Sequence, residues 1–129
     1  MMRRLSKVLA IAAGFHAFCC PILAHHGNAA YDELKPLTLA GKVTRFMWSN
    51  PHTMIYFDVK DEKGGVVHWT VETLSPAKLA RAGWTEDAIK RGDEVTLIFS
   101  PAKDGKPAGF LQRIVFHDGR QLGMLEHPQ

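Results

Sequence analysis

Hydrophobic and polar positions alternate along most of this chain after residue 36, and alternation at period two marks strands. "LTLAGKV" places Leu37, Leu39, Gly41 and Val43 on one face. The period breaks at Arg45-Phe46-Met47-Trp48, where an extra residue would bulge or bend the strand. "SNP" reads as a turn, because Ser and Asn initiate turns and Pro fixes φ. "TMIYFDVKD" alternates again, with Ile55, Phe57 and Val59 set against Met54, Tyr56 and Asp58. "KGG" is a hairpin connection, and "VVHWTVET" sets Val67, Trp69 and Val71 against His68, Thr70 and Glu72.

The texture then turns helical. "SPAKLARAGW" offers Ser75 as N-cap, Pro76 at the first helical position and Gly83 as a stop. "TEDAIKRG" repeats that logic, with Thr85 as cap, Glu86 and Asp87 in the first turn and Gly92 at the end. Strand patterning returns in "EVTLIFS" and "FLQRIVFH", joined by the turn-rich "PAKDGKPAG", and Asp118-Gly119 turns into a tail. Five short strands in a flat sheet would leave edges open, and closure removes them. Three strands, a helical insert and two strands is the element order of an OB-fold. The expected class is therefore mainly β: a small five-stranded OB-like barrel with a short helical insert between strands 3 and 4. A five-stranded sandwich or roll is the alternative.

The first residues carry a different pattern. Arg3, Arg4 and Lys7 precede an almost wholly apolar run over residues 8–20, and Ile22-Leu23-Ala24 supplies a small residue at a cut. That order is a secretory signal, and the run is short for a membrane span, although an uncleaved anchor is the competing reading. The expected organisation is a cleaved signal at 1–24, an irregular segment at 25–36, the β domain at 37–120 and a tail at 121–129. The location is then periplasmic, with no stable membrane insertion after cleavage.

Cleavage changes the composition. Cys19 and Cys20 both precede the cut, so the remainder has no thiol and depends on a packed core. Three of the 16 Lys and Arg residues leave and all 13 acids stay, so the net formal charge of +3 falls to zero. No basic surface is left to argue for nucleic-acid binding.

Six of the seven histidines follow the cut: His25, His26, His52, His68, His117 and His127. If Ala24 is the last signal residue, His25 offers a free α-amine beside its ring, and His26 adds a second ring. Nitrogen-rich sets of this kind suit Cu(II) or Ni(II). A cut one residue earlier leaves Ala-His-His, also a copper- or nickel-type arrangement. A solvated chain end is the competing reading of the pair. A second constellation is "FMWSNPHTM", where His52 and Met54, two apart, share a strand face. Imidazole with thioether would suit Cu(I), whereas Met47 and Met54 as core filler and Trp48 as packing at the barrel end is the plainer account. His52 falls in the loop between strands 1 and 2, a ligand-binding rim of OB-folds. The candidate metal ligands are therefore His25, His26 and His52, with copper favoured, and Trp48, Asn50 and Met54 form a candidate rim for a ligand or partner.

The remaining groups read as structural. His68 is expected to face solvent, His117 and His127 are isolated, and Glu72, Asp58 and Asp61 read as solvated acids. Trp69 and Trp84 read as core. No nucleophile sits in a recognisable elbow, and no triad or carboxylate pair is outlined, so a binding module is favoured over an enzyme. A metal-free module that contacts a periplasmic protein or small ligand through the strand 1–2 corner is the alternative function.

Several motifs occur together: His25-His26 after the signal, Tyr31-Asp32, Gly41-Lys42-Val43, Trp48-x-Asn50-Pro51-His52, Ser75-Pro76 with Leu79, Gly83-Trp84, Gly92-Asp93-x-Val95 and Pro101-Ala102-Lys103-Asp104-Gly105. In this combination the chain resembles a family of small exported proteobacterial proteins classed as a domain of unknown function. The resemblance implies a periplasmic location and a small β-rich fold, and it implies no activity. There is a looser likeness to periplasmic copper-chaperone OB barrels, which use His, Met and Trp, although the order of Met47, Trp48, His52 and Met54 differs from theirs.

Overall fold

The computed structural model describes residues 28–124; the expected signal, His25, His26 and His127 lie outside them. A 3-10 turn (Asn28–Ala30) leads into β1 (Leu37–Met47), β2 (Met54–Lys60) and β3 (Val66–Glu72). One helix, α1 (Pro76–Arg81), separates these from β4 (Glu94–Pro101), β5 (Ala108–Phe116) and β6 (Gln121–Gly123). The hydrogen-bonded order is β3-β2-β1-β4-β5-β6, and β3 also pairs with β5 in parallel. That last pairing closes five strands into a mixed barrel, so the expected class holds and the sandwich does not.

β1 is long because it serves two neighbours. Residues 37–42 pair with β4, and residues 42–47 pair with β2. The strand turns between them at a bulge, where Val43 and Arg45 face consecutive residues of β2. This is the break in alternation seen before Phe46. Gly41 permits the approach, since a Cβ there would run into the Asp58 carbonyl and lie 2.8 Å from the Phe57 ring.

The inward faces match the sequence pattern. Val43, Ile55, Phe57, Val71, Leu97, Phe99, Leu111 and Ile114 are buried at or near zero exposure. Phe57 meets Phe99 edge-on at 6.3 Å between centroids, and Trp69 packs on Phe99 at 5.2 Å. Trp84 is buried as expected.

The helical insert is half of what the sequence suggests. α1 starts with Pro76 at its first turn, but the Ser75 side chain makes no capping hydrogen bond. It stops at Gly83, whose φ of +88° suits a residue without Cβ. Trp84 N–H donates to the Leu79 carbonyl and Gly83 N–H to Ala80, the Schellman pattern. The second expected helix, over 85–92, is a series of turns instead. Asp93 Oδ2 accepts the Lys90 N–H at 2.8 Å, which diverts a donor that a helix would use, and Gly92 N–H is held by the Val43 carbonyl. The Trp84 indole N–H donates to the Gly123 carbonyl at 2.8 Å. That carbonyl belongs to β6, which lies past the expected domain end at 120 and pairs with residues 113–115 of β5. No helix among the described residues is long and apolar enough to cross a membrane.

Candidate functional site

The β1–β2 corner brings together residues that are far apart in sequence. Thr53 fixes its end: the Thr53 N–H donates to the Leu74 carbonyl at 3.0 Å, and Thr73 N–H donates back to Thr53 at 2.9 Å. His52, one residue earlier, is thereby placed against the end of β3. Its Nδ1 pairs with Glu72 Oε1. The Tyr31 phenol donates to the other oxygen, Glu72 Oε2, at 2.7 Å. One carboxylate therefore joins a histidine of the corner to a tyrosine of the N-terminal segment.

Tyr31 is held there by the backbone. It bridges Ala102, while Asp32 N–H donates to Pro101 and Lys103 N–H donates to Ala30. Its ring leans on Phe110 at 5.9 Å. Burial, and then the Glu72 hydrogen bond, push its phenol well above the ordinary tyrosine range. It stays a donor to Glu72.

The chemistry of the corner follows from this polarity. A carboxylate accepts and does not donate, so the shared proton belongs to His52 Nδ1. In the tautomer with its proton on Nδ1, the ring carries its lone pair on Nε2. The His52 side chain is 46% exposed, while Glu72 is 22% exposed. A carboxylate on the far nitrogen is the usual outer support of a metal-binding histidine, because it fixes the ring and raises its basicity.

The other candidate residues divide. Met54 opens β2 directly opposite Glu72 and beside His52. Asn50 is exposed in the turn, its peptide to Pro51 is cis, and it forms no part of the His52–Glu72–Tyr31 chain. Trp48 turns inward, lies 6.0 Å from the Phe46 ring and packs on the core. His25 and His26 lie outside the described residues. Among the described residues no group of three or more His, Cys, Asp or Glu side chains could hold a metal ion; His52 and Glu72 make two.

Two acids read as solvated have side-chain partners. Glu72 is the centre of the corner. Asp58 is 33% exposed and bonds the His68 ring at 2.6 Å, although His68 itself faces solvent at 81%. The signal for Glu72 was available: a tight hairpin through "KGG" sets Glu72 opposite Met54, on the outer face. The Tyr31 contact had no local signal, since 41 residues separate the partners.

The model of a family described as "Family of unknown function (DUF6152)" matches residues 14–112. The chain belongs to this family. The DUF6152 match begins inside the apolar N-terminal run and takes in His25, His26, Tyr31, His52 and Glu72. No curated protein matches the chain. Among solved structures, it is similar to the ZRD-deleted mutant of TiaS in complex with agmatine, at 18% identity and a TM-score of 0.41. It is also similar to TiaS in its complex with a transfer RNA and ATP, at 17% identity and a TM-score of 0.42. These matches cover 64% and 67% of this chain but 21% and 19% of those chains, and they carry no argument about function.

Proposed function

We propose that this chain is an exported periplasmic binding module that holds a transition metal, copper by preference, at the β1–β2 corner. His52 gives Nε2, and His25 and His26 give the mature amine and two rings. The observation that carries this reading is the seating of His52 Nδ1 on Glu72, on a ring that is 46% exposed. A second observation supports it. The segment that leads from the histidine pair is tied to the same carboxylate through Tyr31, five residues after His26. Five residues of chain reach up to about 18 Å. Nitrogen donors in such number favour Cu(II).

The test is made on protein recovered from the periplasm, with its N-terminus sequenced. Isothermal titration is expected to show one tight Cu(II). Inserting Ala before His25 removes the α-amine from the donor set and weakens binding, as does His52→Ala. Correctly processed protein that takes up no Cu(II) overturns the proposal.

A further inference from the structure

The outer face of the corner holds two methionines that the core does not use. Met124 packs on the hydrophobic core, as do Phe46, Trp48 and Leu74. Met47 and Met54 are half-buried yet absent from that packing. They are not the interior filler that the sequence suggested.

The register explains where they point. Ile55 is fully buried, so its neighbour Met54 faces outward. Met47 lies directly opposite Met54 on β1, and Glu72 lies directly opposite Met54 on β3. Directly opposed residues share a face, with Cβ atoms about 4.5–5.5 Å apart. A row Met47–Met54–Glu72 therefore crosses three strands on the outer surface. Glu72, at the end of this row, pairs with the His52 ring. Methionine is unbranched with three rotatable bonds, so both sulfurs can turn toward one point.

We propose that Met47, Met54 and His52 form a site for a soft monovalent cation, Cu(I) or Ag(I). The donors are two thioether sulfurs and Nε2. Soft thioethers select Cu(I) over the harder divalent ions, and imidazole completes the set. Trp48 is left out, because it packs inward. The inference rests on the reading that this corner holds a metal, but it uses neither His25 nor His26.

Ag(I) is the probe, since it is soft and inert to oxidation. Exported protein with labelled methionine methyls is titrated with Ag(I) and followed by NMR. One equivalent is expected to shift the Met47 and Met54 methyls and leave Met124 in place. Replacing both Met47 and Met54 by Leu keeps volume and is expected to weaken Ag(I) binding by more than about tenfold. Methyls of Met47 and Met54 that stay still, or a double variant with full Ag(I) affinity, overturn the site. Cu(II) binding without Ag(I) binding sinks this inference and keeps the proposed function. Ag(I) binding with methyl shifts, but no Cu(II) uptake, keeps the site and sinks the three-histidine reading.

Discussion

Tyr31 donates to Glu72 Oε2 at 2.7 Å across 41 residues of chain, and this contact ties the N-terminal segment to the last residue of β3. The same carboxylate holds His52, so the segment and the corner are fixed with respect to each other. The hydrogen bond is half-buried, where a bond to a charged group contributes about 1.5–3 kcal/mol. Tyr31→Phe and Glu72→Gln are each expected to lower stability in urea unfolding. The double variant is expected to lose less than the sum, because both single changes remove one bond. A coupling energy within error of zero would show that the contact is absent in solution.

The Tyr31 phenol also sets a pH dependence. Burial first, and the Glu72 hydrogen bond second, raise its pKa above the free value of 10.0. A raised pKa means that the folded state holds the proton more tightly. The stabilisation is complete below pH 10 and is lost as pH rises through the interval above it. Urea midpoints measured at about pH 9 and pH 11 are expected to fall further for the unmodified chain than for Tyr31→Phe. Equal falls would mean that the phenol titrates as an ordinary one.

In the proposed site Glu72 would position His52 rather than bind the metal itself. Glu72→Gln keeps the shape but removes the carboxylate that orients the His52 ring. Outer-support changes of this kind typically cost about 10–100-fold in metal affinity. Cu(II) titration of exported Glu72→Gln protein is expected to show such a drop, with His68→Ala unchanged. His68 pairs with Asp58 further along the hairpin and takes no part in the corner.

Gly109 marks the seam where the barrel closes. It pairs with Val71 across the parallel β3–β5 contact, and a Cβ there would strike the Phe99 ring and lie 2.7 Å from the Ser100 carbonyl. Gly109→Ala is expected to destabilise by about 1–3 kcal/mol, the usual cost of overpacking a filled core. A thermal melt checks it. An unchanged Tm would mean that the seam is looser than its packing indicates.

The strands were legible because half-burial imposes a two-residue period, and Ile55, Phe57, Val71, Leu97 and Phe99 obey it. Gly83 was legible as a stop because the left-handed backbone there favours a residue without Cβ. The second helix was misread because capping residues and an acidic first turn are local signals. Asp93 and Val43, from outside the segment, claimed the backbone donors that it needed. β6 was missed because three residues carry too little pattern, although they pair with residues 113–115 of β5. His52 was legible as a candidate from its turn between two strands.

The amino-acid sequence by itself determined the succession of the first five strands along the chain and the corner that carries His52, since each follows from local periodicity and turn chemistry, while the β3–β5 pairing decided for a barrel over a sandwich. Only the tertiary structure decided what His52 meets. Glu72 comes to it through strand register and Tyr31 through chain packing across the β4–β5 hairpin, and no local rule encodes a contact between residues 31 and 72. Barrel closure turned three residues that read as unrelated into one hydrogen-bonded chain. It also left Met47 and Met54 on the outside, where packing has no use for their sulfurs.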